Sequence, residues 1–512
     1  MKTNCFLEME NTNKAIVVNS LVLYAKMIIT VLCSVFTTRF ALQALGVVDF
    51  GLYSLLGGII SFIIIFNTIM IKSSQRFMAI AIGKGNVNDA NVQFNVNLII
   101  HASIAILTIL VAYPIGKWYI YNYINYDGDL SIALLVFIIS IVGAVISFIG
   151  VPYNALIIAK EKFVVFSVID VISQIGKLVI AYLLTIYFIN KLVVYSVSLA
   201  VLTALPTFVY VIYCQKNYIS IVKIKFVRDL EKYKEIFFFS IWVSIGAVCM
   251  IGKNQGASII INLFFNTIMN TALGIANNIG GFINMFSHNV TQPMSPQITK
   301  SYAAHDFKRM DQLLTMSTKF GFLFMLFASS PFLISSEWIL NLWLGQVPSY
   351  STMFLKLMII DCLLLSFNDG LSNAIFASGE IKSYQITTSM LNLLSVVFGF
   401  VVLKLGAPAY SLLLVYIGFS FIRVVAVQII LSSVLNFDYK KLVKNSYLPS
   451  MIVVVLFSPV TFVDVNISPF LKILFFMVYL CLLILFIGLN SNERNYLKLK
   501  VQKLYKKKKE YL

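Results

Sequence analysis

Apolar residues run through this chain in long blocks separated by short polar breaks. A helix needs about 20 apolar residues to traverse a bilayer core. On that rule the pattern predicts fourteen spans, at 16–45, 53–71, 95–116, 130–158, 163–189, 192–214, 236–261, 268–298, 312–335, 352–377, 384–403, 409–433, 447–463 and 470–489. The first, fourth and eighth are long enough to tilt or to extend past the hydrocarbon. Spans 7 and 8 are interrupted by polar and small residues: Gly252-Lys253-Asn254-Gln255-Gly256, then Asn277, Asn278, Gly280 and Gly281. The predicted outer loops are short, the longest at 117–129 and 336–351, and leave no room for an extramembrane catalytic domain. The fold class expected is an all-α polytopic membrane protein.

Composition agrees. Hydrophobic residues make up 59% of the chain, against roughly 45–50% in soluble domains. Charged residues are 12%, too few to cover 42 Phe and 26 Tyr in water. A soluble enzyme, a secreted disulfide module and a disordered scaffold are excluded. The net charge of +18 would suggest nucleic acid in a soluble protein; here it reflects topology, and no nucleic-acid partner is expected. With the N-terminus placed inside, only Lys117, Lys191 and Lys404 of the 39 basic residues fall in predicted outer loops. Most others sit in the inner segments, so the positive-inside rule puts both termini in the cytoplasm. The first ten residues carry Glu8 and Glu10, unlike the start of a signal peptide, and Met9 is an alternative start. The cysteines are scattered without Cys/His clustering, so neither a disulfide framework nor a metal site is expected.

The chain divides into an N-tail (1–14), a six-span lobe (15–214), a basic linker (215–235), a second six-span lobe (236–446), two further spans (447–489) and a basic tail (490–512). The alternating charges of the linker predict an interfacial helix, and the tail reads as an anchor to anionic lipid. A repeat supports the halves. Gly51, Gly57 and Gly58 recur as Gly274, Gly280 and Gly281, followed by Ser73-Ser74-Gln75-Arg76 and Ser295-Pro296-Gln297 respectively. Six spans per half give parallel repeats about an axis along the membrane normal, a pseudo-twofold arrangement. The glycines are candidates for close helix packing or hinge motion.

Charges inside spans are costly and mark cavities or partners. Lys26 and Lys253 lie deep in the first span of each half, with no acid near either in sequence. They are candidate cavity cations for an anionic substrate, the alternative being an acid on another helix. Arg39 is a third candidate, or an outer gate. Arg76 marks an inner interface or gate. Asp170 and Lys177 share a face of span 5, as do Asp361 and Asp369 in span 10. Arg423 is a candidate partner for either acid of span 10, and any of these acids is a candidate for H⁺ or Na⁺ coupling. Lys319, Lys356 and Lys472 lie near span starts and are expected to snorkel. No Walker A loop, nucleophile elbow or HExxH motif is present, so an enzyme is not expected, nor is a cofactor.

The run Thr38-Arg39-Phe-Ala-Leu-Gln-Ala-Leu-Gly46-Val-Val-Asp49-Phe-Gly51-Leu-Tyr53, with Gly57-Gly58, Asn67, Gln75-Arg76-Phe77 and Gly83-Lys-Gly85, resembles the N-terminal signature of the Wzx-type polysaccharide flippases. These belong to the multidrug/oligosaccharidyl-lipid/polysaccharide exporter superfamily. The motifs cover about residues 14–90; the C-terminal half matches more loosely. The resemblance implies two six-helix lobes around a cationic cavity plus two C-terminal helices, spans 13 and 14 being candidates for a lipid-tail groove. It also implies a bacterial inner-membrane flippase that moves undecaprenyl-pyrophosphate-linked oligosaccharide to the outer leaflet for O-antigen, capsule or other lipopolysaccharide and exopolysaccharide assembly. Membrane lipids and other polysaccharide-assembly proteins are the further partners it implies. Lys26, Lys253 and Arg39 are chemically suited to the pyrophosphate. The alternatives are a multidrug or cation antiporter of the same fold and a membrane-embedded polymerase or ligase.

Overall fold

The computed structural model describes residues 2–123, 129–187, 190–265, 267–344, 347–435, 437–462, 468–491 and 493–495. Side chains are described from Ala15 onward apart from short gaps, the largest at 57–69. Every regular element among these residues is helical. In lipid each backbone N–H and C=O must be satisfied within the chain, and a helix does this one segment at a time. The helices are α1 (Lys2–Gly83), α2 (Val87–Tyr123), α3 (Leu130–Ala159), α4 (Phe163–Ile186), α5 (Lys191–Asn217), the single turn α6 (Ile219–Val222), α7 (Leu230–Phe264), α8 (Thr267–Ala303), α9 (Phe307–Leu344), α10 (Ser351–Ser378), α11 (Lys382–Lys404) and α12 (Ser411–Leu435). Then follow α13 (Tyr439–Val460) and α14 (Pro469–Gly488).

Each of the fourteen predicted spans coincides over most of its length with helix, α1 carrying the first two. Among the described residues 12 helices are long and apolar enough to cross a membrane; the second arm of α1 and α8, which carry predicted spans 2 and 8, fall outside that count. The chain is a multi-pass membrane protein. The break in α1 is at Gly46, with φ 76° and ψ 174°, a region open essentially to glycine alone. A Cβ there would meet nothing within 4 Å, so backbone conformation, not crowding, demands the glycine.

The chain forms two compact units, Met1–Ser244 with Pro296–Asp306, and Ile245–Ser295 with Phe307–Leu512. α7 and α8 each run from one unit into the other. In the first unit α3 packs closely on α5. A Cβ on Gly143 would lie 3.1 Å from Ala200 Cα, and one on Gly150 would lie 2.3 Å from Thr207 Oγ1. Small residues let the two backbones approach, as helix contacts in lipid require. α2 meets α3 in the same way, at Gly116 against the buried Phe137 ring, 1.9 Å from where a Cβ would stand. Gly116→Ala is therefore expected to cost about 1–3 kcal/mol through overpacking. A drop in the melting temperature of purified protein would register it, and an unchanged value would contradict the packing. In the second unit one apolar core joins α7 to α14, with Leu326, Phe354, Leu412 and Leu480 buried in it.

The linker departs from the expected interfacial helix. Within 215–235 α5 runs on to Asn217 and α7 begins at Leu230; between them only Ile219–Val222 makes a turn, and 223–229 is not helical. Amide side chains of α2 take the place of helical hydrogen bonds. Asn91 Nδ2 donates to the carbonyls of Ile221 and Lys223, both at 2.7 Å. Asn95 Nδ2 donates to Lys223 O at 3.0 Å while its Oδ1 accepts from Lys225 N at 2.9 Å. The basic tail beyond residue 495 lies outside the described residues.

Candidate functional site

The first unit brings Lys26 of α1 against Asp170 of α4, Nζ to Oδ2 2.5 Å. The ammonium also lies over the Phe166 ring, 4.0 Å from its centroid. Phe166 and Asp170 are four residues apart, so one turn of α4 presents both to α1. Lys177, two turns further along, lies within the field of the same carboxylate without forming an ion pair of its own among the described residues. Two ammonium groups thus answer to one carboxylate.

The second unit builds a closed network. Lys253 Nζ is 3.2 Å from Asp361 Oδ2, and the two side chains are 9% and 6% exposed. Asp361 Oδ1 accepts a hydrogen bond from Ser420 Oγ. The Tyr416 ring lies under the ammonium at 4.5 Å, and its hydroxyl donates to the Lys253 carbonyl at 3.1 Å. α7, α10 and α12 are thereby joined through one buried charge pair. Further along α10, on the same face, Asp369 Oδ2 accepts from Ser287 Oγ at 2.7 Å.

These pairings correct part of the expected site. Lys26 and Lys253 have no acid near them in sequence, yet each meets one across a helix interface, so neither is an unengaged cavity cation. Arg423 pairs with neither acid of α10: Asp361 is taken by Lys253, and the Arg423 Nε is buried without a hydrogen-bond partner. Arg39 is exposed. Arg76 lies between the rings of Phe77 and Phe239, 4.7 Å from each, in the field of Glu235. Of the repeat glycines, Gly280 packs on Met358 Cγ, 3.0 Å from a built Cβ, whereas Gly274 and Gly281 have nothing within 4 Å. Gly51, Gly57 and Gly58 lie outside the described side chains. No cluster of metal-ligating residues occurs among the described residues.

One pair escaped the sequence reading. Lys319 does not snorkel; its side chain is 0% exposed and its Nζ is 2.5 Å from Glu493 Oε2. The same oxygen accepts from Asn490 N at 2.7 Å. Asn490-Ser-Asn-Glu493 has the spacing of a capping box, in which the third helical residue reaches back to the cap. That spacing was the available signal, and the charge-rich tail around it obscured it.

Residues 258–401 match the MatE family. Solved structures align over most of the chain. A MATE protein in its straight conformation matches with TM-score 0.70 at 15% identity, covering 83% of this chain and 97% of that one. The chain has the MATE fold. An outward-facing multidrug resistance MATE family transporter of the MOP superfamily matches with TM-score 0.70 at 13% identity, covering 83% and 97%. A MOP superfamily transporter from Pyrococcus furiosus, whose binding pocket of reverse polarity is taken to suggest a different function, matches with TM-score 0.69 at 14% identity, covering 83% and 96%. No curated protein matches the sequence.

Proposed function

We propose that this protein is a membrane transporter, not an enzyme, and that it flips an undecaprenyl-pyrophosphate-linked oligosaccharide between leaflets of the bacterial inner membrane by alternating access. The MATE fold supports transport, and the motifs at 14–90 support the polysaccharide-flippase branch. The observation that carries the substrate class is charge. Of the deep carboxylates that could hold a cationic drug, Asp170 and Asp361 are each engaged by a lysine, and Asp369 accepts from Ser287. Lys177 adds a second ammonium to the Asp170 site. Within the first unit Lys26, Lys177 and Asp170 thus leave one ammonium in excess, which favours an anion over a cation. The Pyrococcus furiosus transporter, with its pocket of reverse polarity, supports the idea that one fold serves substrates of either sign. Coupling to a H⁺ or Na⁺ gradient belongs to the same proposal, since the described residues carry no nucleotide-binding loop.

The second reading is a multidrug antiporter, the description borne by one of the similar structures. Proteoliposomes separate the two. Protein-dependent exposure of a pyrophosphate-linked oligosaccharide to an external lectin is expected, with dependence on an imposed pH or Na⁺ gradient. Efflux of a cationic dye without lectin exposure would favour the antiporter. Lys177→Gln is expected to slow flipping by about tenfold, the scale of one charge-assisted contact, with little change in melting temperature because no ion pair is broken. Equal flipping rates in Lys177→Gln and wild type would remove Lys177 from the substrate path.

A further inference from the structure

The turn joining α3 to α4 gathers more positive charge than it balances. Its sequence is Lys160-Glu161-Lys162, and α8 adds Gln297 and Lys300 from outside the turn. Both oxygens of the single carboxylate are engaged: Glu161 Oε1 accepts from Lys300 Nζ and Oε2 from Gln297 Nε2. Lys160 and Lys162 form no ion pair among the described residues. The Lys160 ammonium faces the Tyr218 ring at 5.7 Å.

The backbone of the turn is closely held, in a geometry that also ends α8, where His305 takes the left-handed position at φ 56°. α3 ends in a Schellman motif, with Glu161 N donating to Ile158 O at 2.8 Å and Lys162 N to Ile157 O at 3.0 Å. The residue in the left-handed position is Glu161, at φ 60°. Glycine usually stands there, and at the end of α11 Gly406 does, with φ 91°. A non-glycine residue in that conformation costs of order 1–3 kcal/mol and persists where surrounding contacts over-determine it. The contacts here are Lys300 and Gln297 on the carboxylate and Asn19 Nδ2 donating to the Glu161 carbonyl at 3.4 Å. Three side chains from outside the turn therefore pin a strained backbone that displays two ammonium groups.

The field at the turn is unfavourable to the Lys160 ammonium. The Lys160 ammonium is pushed below the ordinary lysine range by burial, then by the charges of Lys300 and Lys162. An anion placed among the three lysines reverses that repulsion. A phosphate does so best, because its several oxygens accept from all three donors at once.

We propose that the α3–α4 turn is the docking site for the diphosphate of the lipid-linked substrate, held by Lys160, Lys162 and Lys300 on the predicted inner side of the membrane. This rests on the flippase reading and names the residues that receive the substrate. Lys26 and Lys253 lie deep within their spans and are not the first contact. Glu161 positions the site by keeping Lys300 beside the turn.

The test is binding of undecaprenyl diphosphate to the full-length protein in phosphatidylcholine nanodiscs, with inorganic pyrophosphate and phosphatidylglycerol as parallel probes. The Lys160→Gln/Lys162→Gln variant is expected to bind the lipid diphosphate about thirtyfold more weakly, from two interfacial lysine contacts. Its melting temperature should match wild type, since neither lysine forms an ion pair among the described residues. Lys160→Arg/Lys162→Arg should restore binding, which a merely structural role would not require. Undiminished binding in the Gln variant overturns the site while the flippase reading stands. Equal affinity for inorganic pyrophosphate or for phosphatidylglycerol overturns the lipid-diphosphate assignment. Absence of lipid-diphosphate binding by wild-type protein that still effluxes a cationic dye overturns the flippase reading itself, and this site with it.

Discussion

Glu493→Ala is expected to lower the unfolding free energy of the second unit by about 3–5 kcal/mol, the cost of leaving a buried charge without its partner. Lys319 has no exposed surface, so its ammonium cannot turn to water when the carboxylate is removed. The alanine variant also loses the capping contact to Asn490 N, which adds about 0.5–2 kcal/mol to the loss. A double change, Lys319→Met with Glu493→Gln, should recover most of the stability, because a well-packed apolar residue replaces the ion without desolvation cost. Thermal unfolding of the detergent-solubilised protein reads both results. If Glu493→Ala melts with wild type, Lys319 reaches another counter-ion and the pair does not hold the C-terminal segment to α9.

The contrast between this pair and the spans shows what the sequence could and could not reveal. Hydropathy placed each of the fourteen spans mostly on helix because burial in lipid depends on a run of some 20 residues, which is local information. Gly46 was visible as a motif residue for a similar reason: its backbone angles are a property of one position. Partner choice is different. Asp170 lies 144 positions from Lys26, and Asp361 lies 108 from Lys253, so the pairing depends on which helices pack together. Periodicity assigned Asp170 and Lys177 to one face of α4, but it could not show that α1 would press Lys26 onto that face. Arg423 was matched to the acids of α10 on charge alone, and Ser420, one turn earlier on α12, makes the contact instead. Lys319 was expected to snorkel because it lies near the start of the apolar run. α9 begins at Phe307, however, so Lys319 sits more than three turns inside the helix. The linker misled through its alternating charges, since the amides of Asn91 and Asn95 that replace its helical hydrogen bonds lie about 130 residues away in α2.

The second large effect is expected at Lys253 and Asp361. Lys253→Ala leaves the Asp361 carboxylate 6% exposed and without a cation, and Asp361→Ala does the reverse to Lys253. Each single change is expected to cost about 3–5 kcal/mol, and so to reduce transport chiefly by reducing folded protein. Loss of export in Lys253→Ala alone therefore cannot assign Lys253 to the substrate. The double variant Lys253→Met/Asp361→Leu separates the two causes. It removes both charges while keeping apolar volume against Tyr416 and Ser420, and its stability should lie within about 1–2 kcal/mol of wild type, giving a coupling energy of several kcal/mol in the cycle. Since both oxygens of Asp361 are engaged, by Lys253 Nζ and by Ser420 Oγ, and Tyr416 holds the Lys253 carbonyl, the pair clamps α7 to α10 and α12, and the double variant should flip lipid-linked oligosaccharide within about threefold of wild type per folded molecule. A double variant that folds normally but fails to flip would return these two charges to the transport cycle. In that case, loss of gradient dependence alone, with passive flipping intact, would identify Asp361 as the group that exchanges the coupling ion.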